Sequence, residues 1–210
     1  MWSRFSRKSK EEQFWDWFVR HEEKLLNFEV DQERIFDKLA NALQRVDRDL
    51  TFEFGPPEAR RELVISAAGI KRAFPAVSAL VAAAPALERW RWTAFRPRRP
   101  VGNPVEFRGK CIYPKDLEFA LLDDGKIAGL HLFLPNFRDD DVTVKMIGYL
   151  LLDEALGEFD VVTRLGFIEM HAPDATTIGT RYPFVKLPRL FDQLNLQLER
   201  GESPRSLLAR

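Results

Sequence analysis

Three side chains that could hold a metal ion or exchange a proton fall on segments with strand character. Glu169 and His171 lie two residues apart in a predicted strand, so their side chains project from the same face. His131 lies in another predicted strand and could join them. Imidazole nitrogens and carboxylates bind Zn²⁺ and also serve in general acid and base catalysis. The three residues predict either an open metal site of the hydrolytic kind or a hydrogen-bonded structural pair at the end of a sheet.

The structural pair is the preferred interpretation of that pattern. Leu165 and Phe167 occupy the same predicted face as Glu169 and His171, and a Glu-x-His spacing occurs by chance in many strands. We therefore hold Glu169, His171 and His131 as candidate catalytic or metal-binding residues, and expect no metal or other cofactor.

Two further polar groups have both a structural and a functional interpretation. His21 lies on the apolar stripe of the first predicted helix, and we expect it to be partly buried and bonded to a neighbour or a carbonyl. Asp139, Asp140 and Asp141 could bind a divalent cation through oxygen ligands. At a predicted helix start, however, capping by Asp139 or Asp140 and the helix dipole account for these carboxylates.

Several chemistries have no signature in the chain. The eleven glycines include no Gly-x-Gly-x-x-Gly and no phosphate-binding loop, so no nucleotide cofactor is expected. There is no Gly-x-Ser-x-Gly motif, and Cys111 has no histidine in its own segment to activate it. The single cysteine fits a reducing compartment, and we expect it to be half-buried. The sequence therefore contains no recognisable catalytic motif.

The charge balance argues against a polyanionic partner. Basic and acidic residues both total 32, so the whole molecule has no net field that would attract nucleic acid. Four arginines, Arg96, Arg98, Arg99 and Arg108, lie near Trp90 and Trp92 in a pattern that single-stranded nucleic-acid binders also use. We interpret them as a solvated basic loop beside core tryptophans, and expect no nucleic-acid partner.

Length and hydropathy bound the class of protein. The chain has 210 residues, of which 45% are hydrophobic, and this is sufficient for a substantial core. We expect a single α+β domain over residues 11–201, between a flexible basic tail (1–10) and a frayed tail (202–210). The longest uncharged run, Ala73–Leu87, is too short for a bilayer and contains two prolines. We expect no membrane span, no secretory signal and a cytoplasmic location.

The element order indicates how these residues are positioned. A capping box at Ser9 and Glu12, followed by helical spacing, predicts a helix over 10–27, and Asp31 begins a second. Val30 is expected to staple that second helix by packing on Ile35. Later segments predict a hairpin from Leu50, a short helix, about four strands, a long helix, a long strand over 160–171 and a last helix. This order predicts an α+β fold in which an N-terminal helical hairpin and further helices pack against a mostly antiparallel or mixed sheet.

Aromatic residues are the most distinctive feature of the chain. Residues Phe14–Phe18 have the sequence Phe-Trp-Asp-Trp-Phe. Together with the segments Glu62–Ala67 and Leu156–Asp160, this motif resembles features of a group of uncharacterised bacterial proteins. The resemblance implies a bacterial protein but no activity and no site. We favour a non-catalytic interaction or regulatory module, in which Trp15 is exposed and anchors a protein partner or a second copy. The alternative is a small metal-dependent hydrolase or ligand-binding protein that uses Glu169, His171 and His131.

Overall fold

The computed structural model describes residues 8–123, 127–176 and 179–201. The backbone divides into two compact units, Met1–Arg96 and Pro97–Arg210, called here the N-terminal and C-terminal units. Each unit contains a β-hairpin followed by a helix and a strand parallel to the second hairpin strand. The α+β class is confirmed. One domain over 11–201 stays a prediction, because two compact units can still unfold as one cooperative body.

The N-terminal unit begins with the predicted helical hairpin. Helix α1 (Lys10–Leu26) starts at the expected capping box, in which the Ser9 hydroxyl accepts from Glu12 N and the Glu12 carboxylate accepts from Ser9 N. Helix α2 (Gln32–Val46) starts after Asp31 as predicted, but the Asp31 side chain makes no capping hydrogen bond and lies 3.6 Å from Arg34. The predicted hydrophobic staple between Val30 and Ile35 is wrong, because the Val30 side chain is 87% exposed. Both helices bury one apolar stripe, which fixes the face that each turns to the sheet.

A three-stranded sheet completes this unit. Strands β1 (Thr51–Phe54) and β2 (Arg61–Ser66) form the predicted antiparallel hairpin. Helix α3 (Phe74–Ala82) then leads to β3 (Trp90–Ala94), which pairs with β2 in parallel. Leu63, Val64 and Ile65 are fully buried, and because neighbouring side chains project from opposite faces, this central strand is covered on both faces.

The aromatic cluster of α1 belongs to the core of the N-terminal unit. Trp15 is 4% exposed, its ring lies 4.6 Å from that of Trp92, and its Nε1–H donates to Leu80 O at 2.8 Å. Phe18 packs edge-on against Trp90 at 4.9 Å. The expected exposure of Trp15 is therefore wrong: the helix turns this ring toward its own strands. A buried tryptophan whose N–H is satisfied internally loses its basis as a partner anchor.

The C-terminal unit contains a two-stranded ribbon and a four-stranded sheet. Strands β4 (Val105–Phe107) and β5 (Lys110–Ile112) form the ribbon. The larger sheet consists of β6 (Glu118–Asp123), β7 (Ala128–Phe133), β8 (Leu165–His171) and β9 (Tyr182–Pro183), in the order β8-β7-β6-β9. Only the β7–β8 pair is parallel. The sheet is therefore mixed, as predicted.

Three helices complete this unit: α4 (Val142–Leu156), α5 (Glu158–Arg164) and α6 (Leu187–Glu199). A single apolar cluster includes Leu130 and Leu132 of β7, Ile147 and Leu151 of α4, and Phe191 of α6. Because side chains alternate along a strand, Gly129, His131 and Phe133 must project from the opposite face of β7. That opposite face is called here the site face.

Three local expectations in the C-terminal unit are wrong. The strand predicted over 160–171 begins only at Leu165, because residues 158–164 form α5 after Gly157 ends α4 with φ of 83°. The cap of α4 is Asp141, which accepts from Val144 N at 3.1 Å, and neither of the two preceding aspartates. Cys111 is exposed on β5 and not half-buried.

The remaining expectations concern the chain ends and the membrane. Residues 8–10 are described, but 1–7 and 202–210 lie outside the described residues, so the two tails stay predictions. Within the described ranges no helix combines the length and the hydropathy that crossing a bilayer requires.

Candidate functional site

The register of β7 and β8 brings the three predicted residues together. His131 of β7 lies opposite Glu169 of β8, and Phe133 lies opposite His171. Glu169 and His171 are two residues apart, so both project from the site face beside His131. The side chains that the sequence placed on two separate strands therefore meet in one cluster, which we call the His–Glu–His cluster.

The potential donor atoms of this cluster form a small triangle. Nδ1 of His131 lies 2.8 Å from Nε2 of His171 and 3.4 Å from Oε2 of Glu169. The third side, from Nε2 of His171 to Oε2 of Glu169, is 3.7 Å. Among the described residues it is the one group of three or more His, Cys, Asp or Glu side chains arranged to hold a metal ion.

Aromatic rings hold the two imidazoles in place. The Phe167 ring packs edge-on against His131 at 5.5 Å, and the Phe133 ring stacks on His171 at 5.3 Å. Phe167 fits there because its partner in the register is Gly129, where any side chain would collide with the ring. The rings restrict the imidazole planes and exclude water from one side of the cluster, which strengthens electrostatic interactions there.

Described residues of the segment between β8 and β9 lie against part of the site face. A Cβ on Gly179 would lie 3.2 Å from Leu122 Cδ2 and 3.7 Å from Ala120 Cβ, so its backbone passes close to β6. Arg181 fastens this segment, because its guanidinium donates to Pro173 O at 2.5 Å and to Ala175 O. The Arg181 guanidinium carbon also lies 3.7 Å from the centre of the Phe133 ring.

Exposure changes steeply across the cluster. The side chain of His131 is 5% exposed, that of His171 is 30% exposed and that of Glu169 is 57% exposed. The cluster thus has a closed wall at His131 and an open side at Glu169. An ion held by the three donors would keep solvent access on the Glu169 side.

Burial also sets the protonation of the inner histidine. Loss of solvation lowers the pKa of His131 below its usual value of 6.5, because the charged imidazolium is disfavoured in the buried position. The negative charge of Glu169 opposes this shift, and the neighbouring His171 adds to it. His131 is therefore neutral at pH 7, which is the form that binds a metal ion.

The triangle matches the dimensions of a zinc site. A circle through its three corners has a radius of about 1.9 Å, slightly shorter than the usual Zn–ligand distance of about 2.0–2.2 Å. His131, Glu169 and His171 could therefore hold one ion jointly, at distances close to those of zinc sites. Little movement of the side chains is therefore needed to bind an ion.

Two nitrogen donors and one oxygen donor limit the type of ion. Imidazole suits Zn, Fe, Ni and Cu, whereas Mg²⁺ and Ca²⁺ prefer sites built from oxygen alone. Structural zinc sites are closed by four protein ligands, and catalytic ones use three with an open position for water or substrate. The His–Glu–His cluster has the composition and the open side of the second kind.

The other polar candidates have structural roles. His21 is part-buried and its Nδ1 donates to Trp17 O at 2.8 Å, which confirms the expected histidine bonded to a carbonyl. Asp141 caps α4, Asp140 pairs with Arg138, and Asp139 lies 3.7 Å from the ammonium of Lys145. The three carboxylates thus have separate partners, and Asp141 alone among them caps the helix.

The predicted basic loop is held by ion pairs. In the C-terminal unit, Arg98 donates to Leu156 O at 2.6 Å and pairs with Asp160 at 2.7 Å and Asp192 at 2.9 Å. In the N-terminal unit, Arg96 pairs with Glu53. These charges are already neutralised by the protein, so they offer little to a phosphate backbone.

Sequence reasoning did not find the supporting residues of the cluster. The period-two pattern was sufficient to place Gly129 and Phe133 on the face of His131. The pattern could not show that Phe167 lies opposite Gly129 or that the Arg181 guanidinium packs on the Phe133 ring. Both contacts depend on which strands pair.

Comparison of the chain with protein-family models, with curated proteins and with solved structures found no match. The chemistry of the site face is therefore inferred from the positions and types of its own side chains.

Proposed function

We propose that this protein binds one divalent transition-metal ion, of which zinc is the best fit, through His131 Nδ1, Glu169 Oε2 and His171 Nε2. The observation that carries this proposal is the triangle of 2.8, 3.4 and 3.7 Å between those atoms. The hydrogen-bonded structural pair expected from the sequence would need only two of the three residues. The 2.8 Å contact between His131 Nδ1 and His171 Nε2 is a hydrogen bond in the metal-free structure, and Glu169 Oε2 is the third atom within reach of a shared ion.

The class of activity follows from the open side of the cluster. A zinc ion with a free position lowers the pKa of a bound water to about 7 and polarises a substrate oxygen. His131 and His171 would fix the ion, while the exposed Glu169 borders the side from which a substrate would enter. We therefore propose a small metal-dependent hydrolase, or a protein that binds a ligand through the metal.

The first test is metal content. Full-length protein is stripped with a chelator, incubated with ZnCl₂, passed through a desalting column and measured by mass spectrometry of the metal. We expect one zinc per chain, and MgCl₂ should give no bound metal. The variants His131→Ala, Glu169→Ala and His171→Ala should each weaken zinc binding by more than about 100-fold, because even outer partners of a ligand cost about 10–100-fold.

The chain provides a matched control for these substitutions. His21→Ala removes the one other histidine of the sequence, which lies in the N-terminal unit and is bonded to a backbone carbonyl. It should leave zinc content unchanged. If wild-type protein retains no zinc, or if a His131→Ala, His171→Ala double variant retains as much as wild type, the proposal is wrong.

The second test separates a hydrolase from a ligand-binding protein. Zinc-loaded protein is assayed with p-nitrophenyl acetate and with bis-p-nitrophenyl phosphate. A hydrolase should lose activity on chelation and regain it with zinc, while Glu169→Ala should remain inactive. Stoichiometric zinc without chelator-sensitive hydrolysis of either compound would favour the ligand-binding alternative.

A further inference from the structure

Three hollows that share lining residues follow the helical hairpin of the N-terminal unit, and together they are called here the groove. One end of it is a hollow of about 400 Å³ between α1 and α2. Its wall is mostly apolar and includes Trp17, Leu25, Val30 and Ile35. Val30 is 87% exposed, although a valine at this position gains nothing from contact with water. This apolar end therefore has the character of a surface that a partner covers.

The apolar end has only a small excess of positive charge. Its rim contains Lys24, Arg34 and Lys38 as cations and Glu23 and Asp31 as anions, and Lys38 also lines the adjoining hollow. Arg34 lies 3.6 Å from Asp31, and Glu23 pairs with Arg89 at 2.5 Å. This end therefore selects for apolar surface and not for charge.

The other end of the groove is cationic. An adjoining hollow of about 490 Å³ includes Lys38 and Arg45 and has no acidic residue in its wall. A third hollow, of about 250 Å³, adds Lys10 and Arg20. The acid in its wall is Asp16, whose carboxylate already pairs with Lys8. The cationic end therefore carries an excess of positive charge that faces solvent.

Trp17 joins the two ends, since its side chain lines all three hollows. The half-buried indole stacks on the His21 ring at 4.7 Å with an interplanar angle of 25°. The hydrogen bond from His21 Nδ1 to Trp17 O, at 2.8 Å, holds the imidazole ring in place. A large aromatic side chain that is already fixed loses little entropy on binding, which is the property of an interface hot spot. The anchor role expected of Trp15 thus fits Trp17.

The length of the groove indicates the size of its occupant. The lining residues of α1 extend from Lys10 to Asn27, which is about 26 Å at 1.5 Å per residue. A drug-sized ligand would fill the apolar end alone. An α-helix of about 17 residues matches the full length, and a groove between two helices is a common receptor for such a helix.

Charge selects among the helices that could bind. Residues 1–7 of the chain carry Arg4 and Arg7 and no acid, so charge repulsion argues against this segment as the occupant of the cationic end. A second copy that presented the same groove would place like charges opposite each other. A nucleic acid would meet the cations but would leave the apolar hollow unfilled. An acidic helix with an apolar face satisfies both ends.

We propose that the groove lined by Trp17, Val30, Ile35, Lys38 and Arg45 binds an acidic amphipathic helix of a partner protein. The partner's apolar residues fill the hollow at Val30 and Ile35, and its carboxylates face Lys38 and Arg45. The proposal is independent of the metal site, which lies in the C-terminal unit.

The test uses full-length protein and three fluorescent 18-residue peptides in an anisotropy titration. The first has leucines at helical spacing along one face and glutamates elsewhere. The second has lysines in place of the glutamates, and the third has the composition of the first in an order without an apolar face. We expect saturable binding of the first peptide, at least 10-fold weaker binding of the other two, and weaker binding of the first as salt increases.

Variants locate the binding surface. Lys38→Glu with Arg45→Glu should weaken binding of the acidic peptide at least 10-fold, and Trp17→Ala should weaken it to a similar degree. Lys71→Glu, an exposed lysine of the same unit outside the groove, is the matched control and should have no effect. His131→Ala should also have no effect, which separates this proposal from the metal site. Melting curves show whether each variant is folded, and the charge reversals remain informative if Trp17→Ala is unstable.

Three results would overturn the proposal. The first is equal binding of the acidic and the lysine peptides. The second is binding of the acidic peptide that survives the double charge reversal. The third is tighter binding of a single-stranded oligonucleotide than of the acidic peptide, since this would assign the cationic end to phosphates.

Discussion

The contact between Gly129 and Phe167 offers a sensitive test of how the site face supports the His–Glu–His cluster. A Cβ at position 129 would lie 2.2 Å from Phe167 Cε1 and 2.3 Å from Cζ. Ordinary contact begins near 3.4 Å, so in Gly129→Ala the ring edge must move by about 1.2 Å. The Phe167 ring also packs against His131, so this movement opens the closed wall of the cluster.

We expect Gly129→Ala to lower the free energy of unfolding by about 1–3 kcal/mol, the usual cost of forcing extra atoms into a packed region. Zinc affinity should fall by about 10–100-fold, the range seen when groups that orient a metal ligand are disturbed. Urea denaturation measures the first quantity, and competition with a chromogenic zinc chelator measures the second. Gly102→Ala is the matched control, because a Cβ there meets nothing within 4 Å.

A second substitution tests the cause. Phe167→Ala removes the ring that the new methyl group strikes, so Gly129→Ala should cost less in that background than in wild type. We expect the two changes to depart from additivity by more than about 0.5 kcal/mol. Additive effects, or equal unfolding midpoints for Gly129→Ala and Gly102→Ala, would refute the idea that this contact shapes the site.

Two further predictions concern a buried tryptophan and a buried histidine. Trp15→Phe removes the donor to Leu80 O and should lower the free energy of unfolding by about 1–3 kcal/mol. Trp17→Phe, at a half-buried position, should lower it by less than about 1 kcal/mol. Equal losses for the two variants in urea denaturation would contradict the buried hydrogen bond. In metal-free protein, the pKa of His131 is lower in the folded chain than in the unfolded chain. As the pH falls below 6.5, the unfolded chain therefore takes up a proton before the folded chain does. The free energy of unfolding should decrease as the pH decreases. His131→Gln should reduce this slope by up to about 1.4 kcal/mol per pH unit, and an unchanged slope between pH 7.5 and 5.5 would count against the burial of this imidazole.

Local chemistry was sufficient to predict many of the elements. The capping box of α1 involves Ser9 and Glu12, which are three residues apart, and the glycine that ends α4 acts on its own backbone. The hairpin of β1 and β2 was likewise predicted from alternation and a turn signal. Such features depend on groups within a few residues, so a single sequence contains the information.

The predictions that proved wrong depend on contacts between residues far apart in the sequence. Residues 161–163 read Val-Val-Thr, a run with strand propensity, yet they belong to α5. The propensity of each residue is worth well under about 1 kcal/mol, so tertiary packing overrides it. On α1, the stripe of Phe14 and Phe18 can be extended to include either Trp15 or Trp17. The helix is aromatic on both sides, and its spacing could not decide which ring faces the strands.

By itself, the sequence determined the mixed α+β composition, most of the helix starts and the three side chains able to share an ion. The tertiary structure alone decided that those side chains meet. Strands β7 and β8 are joined by a long crossover through α4 and α5, and nothing local to either strand specifies their parallel register. A shift of one residue would turn His131 away from Glu169 and His171, because neighbouring side chains on a strand point to opposite faces. The packing of the whole C-terminal unit fixes that register, and with it the candidate metal site.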